Sequence, residues 1–282
     1  MKSSHSLREG IKLLFTYFFI LIMLIIVLFP VVWTFVSSLN PGQSLYSSEL
    51  SLIPKDITWN HYKKLFKETD FGIWYKNTIK VAFASSAVTV ILVTLTAYAF
   101  SRQRFAGRKQ SLVAMLVLQM FPGIMNMVAI YVLLNLIGLL DTHLGLVLVY
   151  AGGAIPYNTW LMKGYMDGIP KSLEEAALID GAGNWTTMWK IILPLTLPMT
   201  SVIAIFSFVA PFGDFLFARL VLTTPTKWTL AVGLNDFISG KFDKNYTQFA
   251  AGSLLAALPV TILYLSMQNL LIGGLTKGSV KG

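Results

Sequence analysis

Pro170-KSLEEAALIDGAGNWTTMWKIIL-Pro194 is the most polar stretch of an otherwise apolar chain, and it carries the punctuation of two short helices. Pro170 cannot lie inside a helix and marks a start. Ser172 followed by Glu175 predicts a capping box: the serine oxygen accepts a free N–H of the first turn, and the glutamate reaches back to the serine N–H. Leu173, Ala176, Ala177 and Asp180 then share a face at helical spacing. Gly181-Ala182-Gly183 ends this helix, because glycine accepts the left-handed cap that other residues resist. Asn184 predicts the cap of a second short helix through Lys190, and Leu193-Pro194 leads into the next apolar run. The expected unit is helix, glycine elbow, helix, held between two oily segments.

The surroundings of that unit belong in a bilayer. Of 282 residues, 55% are hydrophobic and only 12% charged, against about 25% charged in an average soluble domain. Mean hydropathy is +0.66. Net charge is +9, but the basic residues sit at the ends of apolar runs, where they set orientation against a membrane. With no cysteine, disulfides and thiolate metal sites are excluded.

A helix crosses the hydrocarbon in about 20 apolar residues. Six runs qualify, at about 13–38, 78–100, 111–137, 144–162, 191–217 and 249–272. Leu13 to Leu28 looks like a signal-peptide core, but no small-residue cleavage site follows, so it reads as a retained first span. An even number of spans puts both termini on one side. Lys2, Arg8 and Lys12, then Arg102, Arg104, Arg108 and Lys109, then Lys277 and Lys281 mark that side as cytoplasmic by the positive-inside rule. The 138–143 turn has no Lys or Arg. Outer loops are expected at 40–77, with a surface helix around Trp59 and Tyr62, and at 218–248, long, polar and without structure of its own. Pro30, Pro122, Pro156, Pro198, Pro211 and Pro259 should kink the spans. No internal repeat or second domain is evident.

Enzyme chemistry has nothing to stand on. No G-x-x-x-x-G-K-[ST] loop exists: Asn235 stands where Gly240-Lys241 would need an upstream glycine. His5, His61 and His143 lie far apart, as solvated residues, and no metal-ligand spacing occurs. No serine sits in G-x-S-x-G. No Asp, Glu, Lys, Arg or His lies well inside a span, whereas ion-driven carriers keep relay charges there. Asp214 reads as a solvated boundary residue, out of helical register with Arg219. A transporter so built takes its energy elsewhere. The neutral groups left inside, Asn126, Tyr150 and Asn158 among them, suit either an uncharged sugar on a path or hydrogen bonds between helices.

Glu175-Ala176-Ala177, three residues, Gly181, nine residues, Ile191, one residue and Leu193-Pro194 together resemble the EAA loop of ABC-importer permease subunits, with every fixed position filled. The resemblance runs along nearly the whole chain and is of the MalG type, the smaller permease of maltose and maltodextrin importers. Ala97-Tyr98-Ala99-Phe100-Ser101-Arg102, Gln119-Met120-Phe121-Pro122 and the tail Gly274 to Gly282 support it. It implies an all-α integral membrane fold of six transmembrane helices, MetI-like, as one permease domain over 1–282. It implies a cytoplasmic coupling loop over 170–194, in which Ser172, Glu175, Ala176, Ala177, Asp180, Gly181, Ile191, Leu193 and Pro194 meet the ATPase. Glu175 is expected to make the charge-assisted contact and Gly181 the elbow, where a side chain would clash. Lys277 and Lys281 would reach the ATPase dimer.

The implied partners are a MalF-type second permease, two copies of a cytoplasmic ABC ATPase, an extracellular sugar-binding protein and membrane lipid, with no nucleic acid. The resemblance assigns this chain no catalytic residue, metal or cofactor, since ATP and Mg would sit on the ATPase. It places the chain, multi-pass, in a bacterial cytoplasmic membrane. Alternatives are the same machine carrying another oligosaccharide or a glycerol phosphate, or a self-sufficient carrier or channel.

Overall fold

A computed structural model describes residues 2–43, 56–239 and 244–279, with side chains placed from residue 9 to residue 270. Those residues hold helices and turns and no strand. The first helix, α1, runs Lys2–Ser38; then come α2 (Asn60–Glu68), α3 (Phe71–Arg102), α4 (Arg108–Gln119), α5 (Met127–Leu136) and α6 (His143–Asp167). Next are α7 (Ser172–Ile179), α8 (Asn184–Thr187), a π turn (Met188–Ile192), α9 (Leu193–Leu195) and α10 (Leu197–Gly213). The chain closes with α11 (Leu216–Val221), α12 (Leu230–Ser239) and α13 (Tyr246–Ser279).

The chain divides into two compact units, 1–69 with 236–255, and 70–235 with 256–282. In the first, α1 leaves its apolar side chains exposed from Ile11 to Phe35. That exposure is ruinous in water and ordinary in lipid. Hydrogen bonds hold the chain at the C-terminal end of this helix and just beyond it. Ser38 Oγ lies 2.7 Å from the Tyr62 hydroxyl, and the buried His61 holds its Nε2 2.7 Å from the Asn40 carbonyl. Thr247 Oγ1 donates to the Gly42 carbonyl at 2.7 Å. The expected surface helix near Trp59 is thus α2, with Leu65 and His61 inward and Trp59 and Phe66 exposed. His61 is no solvated histidine: a buried ring needs a partner, and the Asn40 carbonyl supplies it.

The second unit is built on α3, which packs along α6 and α10. Its inward face carries Thr78, Ser85, Ser86, Thr89, Thr94 and Ser101, all buried. Small hydroxyl residues let helices approach closely and bond across the gap. Ser86 Oγ donates to the Ala204 carbonyl of α10 at 2.9 Å, and Thr78 Oγ1 accepts the Leu230 N–H at 2.7 Å. Gly233 of α12 lies flat on the Trp74 indole: an added Cβ would sit 2.1 Å from the ring.

Among the described residues, three helices are long and apolar enough to cross a membrane, Glu9–Ser38, Phe71–Arg102 and Tyr246–Leu270, and two bent pairs raise the number to five. Two of the expected kinked spans are broken outright. The 111–137 run bends by 96° between Arg108–Gln119 and Gly123–Leu136, because Pro122 is extended at ψ 128 and has no N–H to continue the ladder. The 191–217 run bends by 76° where α9 meets α10. There Thr196 takes up a freed carbonyl, its Oγ1 donating to Leu193 O at 2.9 Å. The helix α6 falls short of a simple apolar span because Gly152, Gly153, Pro156, Tyr157 and Asn158 dilute it. It packs against protein rather than lipid along much of its length. The 218–248 loop is likewise not structureless: its described part forms α11, a turn and α12, with Leu230, Val232 and Leu234 buried.

Candidate functional site

The elbow is built by backbone, not by a capping box. Lys171 precedes α7 with no side-chain cap, and the Glu174 and Glu175 N–H groups donate to the Lys171 carbonyl at 2.9 and 3.0 Å. Ser172 is itself the first helical residue, so its hydroxyl has no first-turn N–H to cap. At the other end Gly181 takes φ +82. Gly181 N–H reaches Leu178 O at 3.1 Å and Ala182 N–H reaches Ala177 O at 2.9 Å, the paired bonds of a Schellman cap. Nothing lies within 4 Å of a Cβ added at Gly181. The glycine is required by its backbone angle and not, as expected from sequence, by a clash. Gly183 rather than Asn184 caps α8. The helix then widens into the π turn at Met188–Ile192, a local under-winding that recurs at functional sites.

One side of this element is anchored and the other is bare. Ala177 is buried, as are Thr187, Met188 and Ile192. Met188 and Ile192 enter a cluster with Val93, Ala97 and Tyr98 of α3, Met162 and Met166 of α6, and Ile203 of α10. Leu173, Ala176, Leu178, Glu175 and Asp180 are exposed, so the expected shared face of α7 splits between inside and outside. Ile179 is 86% exposed and Trp185 65%. Ile191 and Leu193 are half-buried and Pro194 exposed.

Sequence reasoning missed the anchor. The residue that ties α7 to the bundle is Glu174, which pairs with Arg102 at the end of α3. Arg102 Nη2 also donates to the Ile169 carbonyl at 3.0 Å and Nη1 to Ser101 Oγ at 3.0 Å. Ser101 Oγ in turn donates to Asp167 Oδ1 at 2.6 Å. Burial raises the Asp167 pKa, but the bonds from Lys163 and Ser101 and the charges of Lys163 and Arg102 outweigh it and hold the carboxyl below its ordinary range. The only sequence signal was an arginine closing a span; its partner lies 72 residues away.

A cavity of about 390 Å³ opens between α3, α6 and α10, lined by Ser85, Thr89, Tyr150, Tyr157, Asn158 and Ser207 among others. It brings Tyr150 and Asn158 together and leaves out Asn126, which sits exposed on the turn after Pro122. Thr89 Oγ1 and Ser207 Oγ are buried without a hydrogen-bond partner, and Asn158 Nδ2 donates to Ala154 O at 2.9 Å. Asp214 is not a solvated boundary residue. It accepts the Tyr150 hydroxyl at 2.7 Å and caps α11 through the Phe217 and Ala218 N–H groups at 3.3 and 3.1 Å. Arg219 lies instead over the Trp228 ring, 4.4 Å from its centroid. A half-buried carboxylate needs donors, and the Tyr150 hydroxyl and the first turn of α11 supply them. Lys281 lies outside the described residues, and Lys277 has only its backbone placed.

A broken-helix bundle with a neutral cavity and a bare, apolar-edged elbow has the build of a membrane transport subunit. The comparisons agree. Residues 90–275 match the family described as "Binding-protein-dependent transport system inner membrane component", and the chain belongs to that family. It is a transport permease subunit, not an enzyme. It is 44% identical over 100% of both chains to the galactooligosaccharides transport system permease protein GanQ of Bacillus subtilis. It is 43% identical over 95% of both to the maltodextrin transport system permease protein MdxG of the same organism. To the maltose/maltodextrin permease MalG of Escherichia coli K12 it is 37% identical over 96% of both. A crystal structure of a bacterial ABC transporter for alginate import shares the fold, with a TM-score of 0.78, 24% identity, and coverage of 93% of this chain and 96% of that one. The MetNI methionine transporter shares it at a TM-score of 0.57 and 16% identity, covering 77% of this chain and 99% of that one.

Proposed function

We propose that this chain is one permease half of an ATP-driven importer of neutral oligosaccharides of the maltodextrin type. It crosses the bacterial cytoplasmic membrane six times, the three straight helices and two bent pairs being joined by α6, with both termini in the cytoplasm. Its partners are a second, MalF-type permease, two copies of an ABC ATPase and an extracellular sugar-binding protein. ATP and Mg bind the ATPase and no cofactor binds this chain. The observation that carries the reading is full-length likeness to permeases named for maltodextrin, joined to an elbow that exposes Glu175, Ile179 and Trp185. Burying such apolar side chains is worth about 1.5–3 kcal/mol each, which suits a docking face.

ATP binding closes the ATPase pair, its grooves carry the elbow with them, and the bundle alternates between outward and inward access. Ser172, Ala176 and Asp180 lie on the docking side, while Ile191, Leu193 and Pro194 pass the movement into α10. The tail bearing Lys277 and Lys281 reaches the ATPase dimer. Tyr150 and Asn158, with Ser85, Thr89 and Ser207, offer a solute neutral hydrogen-bonding groups beside aromatic faces. Asn126, outside that cavity, lines another part of the path.

A second reading has its own support: the galactooligosaccharide permease is as similar as the maltodextrin ones. Proteoliposomes holding the four kinds of subunit should take up radiolabelled maltotriose only with internal ATP. Unlabelled β-1,4-galactotriose competing better than unlabelled maltotriose would move the assignment to galactooligosaccharides. Uptake by this chain alone would overturn the importer reading.

A further inference from the structure

We propose that Glu174 and Arg102 form a rigid joint that makes α3 the lever receiving the elbow's movement, with Glu174 the positioning residue of the loop. The proposal rests on the reading of the elbow as the ATPase contact. The sequence pattern directs attention to Glu175, yet Glu175 is exposed and free to face a partner. Glu174, one residue earlier and about 100° around the helix, points the other way into the bundle. Its side chain is 14% exposed and that of Arg102 6%. The arginine's three nitrogens are all engaged: Nε by Glu174, Nη1 by Ser101 Oγ, Nη2 by the Ile169 carbonyl. Arg102 thus grips α7 and the turn that precedes it at once. Ser101 extends the grip to Asp167, the last residue of α6, where Lys163 closes the chain of charges.

The second limb of the elbow reaches the same helix by a different chemistry. Met188 and Ile192 of the π turn are buried against Ala97 and Tyr98, one turn before Arg102. Both limbs are therefore fastened to the last two turns of α3, one by charge and one by apolar packing. The elbow's connections along the chain run to α6 and α10, so without this joint a push would reach α3 only through its neighbours. A planar guanidinium with a fixed fork holds direction as well as distance, which a flexible lysine would not. A displaced α7 must carry the end of α3 with it. In the other half of the unit α3 bears Ser85 and Thr89, which line the cavity, so the lever ends where access to the solute is set.

The test uses the assembled importer in proteoliposomes, with ATP and a binding protein loaded with maltotriose. Arg102→Gln and Glu174→Gln each strand a buried charge and should lower both the yield of assembled complex and uptake. The double variant R102Q/E174Q strands none. It should recover assembly to within twofold of the parent, while maltotriose taken up per ATP hydrolysed stays at least tenfold down. Recovery of that ratio together with assembly would overturn the lever and leave the pair a mere staple. The cysteine-free chain also gives a separate check on the underlying reading. Ala176→Cys should crosslink to a single cysteine placed in the ATPase groove. Failure to crosslink in the otherwise unaltered importer would refute the docking reading and the lever with it. Crosslinking with a normal ratio in the double variant would refute the lever alone.

Discussion

Two ion pairs stand at the two ends of α6, and they are built differently. At the end of α6, Arg102 and Glu174 are nearly sealed, 6% and 14% exposed. At its start, Lys227 and Asp141 are 45% and 24% exposed, with Nζ 2.7 Å from Oδ2. The first joins two helices, and water has little access to either charge. The second is a clasp over a loop. Asp141 accepts the Thr223 and Thr224 N–H groups at 3.0 Å each and the Thr224 hydroxyl at 2.7 Å. Lys227 Nζ also donates to the Asp141 carbonyl, and His143 Nε2 lies 2.9 Å from Lys227 O. Enclosure makes one contact brittle and directional; redundancy makes the other forgiving. A part that transmits force needs the former, and a part that merely closes a turn can use the latter.

The contrast depends on the elbow having one shape, and Gly181 is where to break it. A valine there must adopt φ +82, a backbone region costing about 1–2 kcal/mol for ordinary residues and more for a β-branched one. With open space around it, the chain escapes by re-routing the elbow rather than by unfolding. Gly181→Val should abolish maltotriose uptake and binding-protein-stimulated ATPase activity while leaving membrane insertion at parental levels. Gly181→Asn, which tolerates the left-handed region, should keep at least a tenth of uptake. Normal transport by the valine variant would remove the elbow from the mechanism.

Next in size is the sealed pair itself. Removing one partner of a buried pair costs about 3–5 kcal/mol, because the other charge is left without compensation. Arg102→Gln should lower the detergent unfolding midpoint by many degrees, and this loss should be nearly the same in 0.05 M and 0.5 M salt. Lys227→Ala at the clasp should cost about 0.2–1 kcal/mol, as exposed pairs do, and its effect should shrink in high salt as the Debye length falls. Equal losses from the two variants would erase the distinction drawn from their exposure.

How much of this was legible in the sequence follows from range. The elbow was legible because its signals are local: Gly181 precedes the next helix by a few residues, and a left-handed cap leaves a glycine in the string. The apolar runs were legible for the same reason. The bends at Pro122 and Thr196 were half-legible, since a proline announces a kink and not its angle. The placement of Ser172 inside α7 was not, because Lys171 offers a carbonyl that any residue has, and nothing in the string says which residue first turns helical. Glu174 over Glu175 was invisible for a geometric reason. Both are acids in the first turn, and only the position of Arg102 decides which one faces in. Asp214 was misjudged likewise: Tyr150 sits 64 residues earlier, beyond any periodic argument. Membrane bundles weaken periodicity further, because lipid and protein faces are both apolar and only small residues mark the inner one.

The smallest effect sharpens the clasp by pH. Burial on its own raises the Asp141 pKa, but the bonds from Lys227, from the Thr224 hydroxyl and from the Thr223 and Thr224 N–H groups outweigh it and hold the carboxyl well below the usual carboxylate range. A group depressed in the folded state contributes stability above its unfolded value, near 3.9 for aspartate, and loses it as pH falls through the folded value. The clasp should therefore be at full strength from pH 8 down to about 5. Asp141→Asn keeps an acceptor for the Thr223 and Thr224 N–H groups but gives up the charge that Lys227 pairs with. Its deficit against the parent, read as the unfolding midpoint in detergent, should be flat from pH 8 to 5 and shrink only below about pH 4. A deficit that vanished between pH 8 and 6 would implicate a group other than the carboxylate and overturn this account of the clasp.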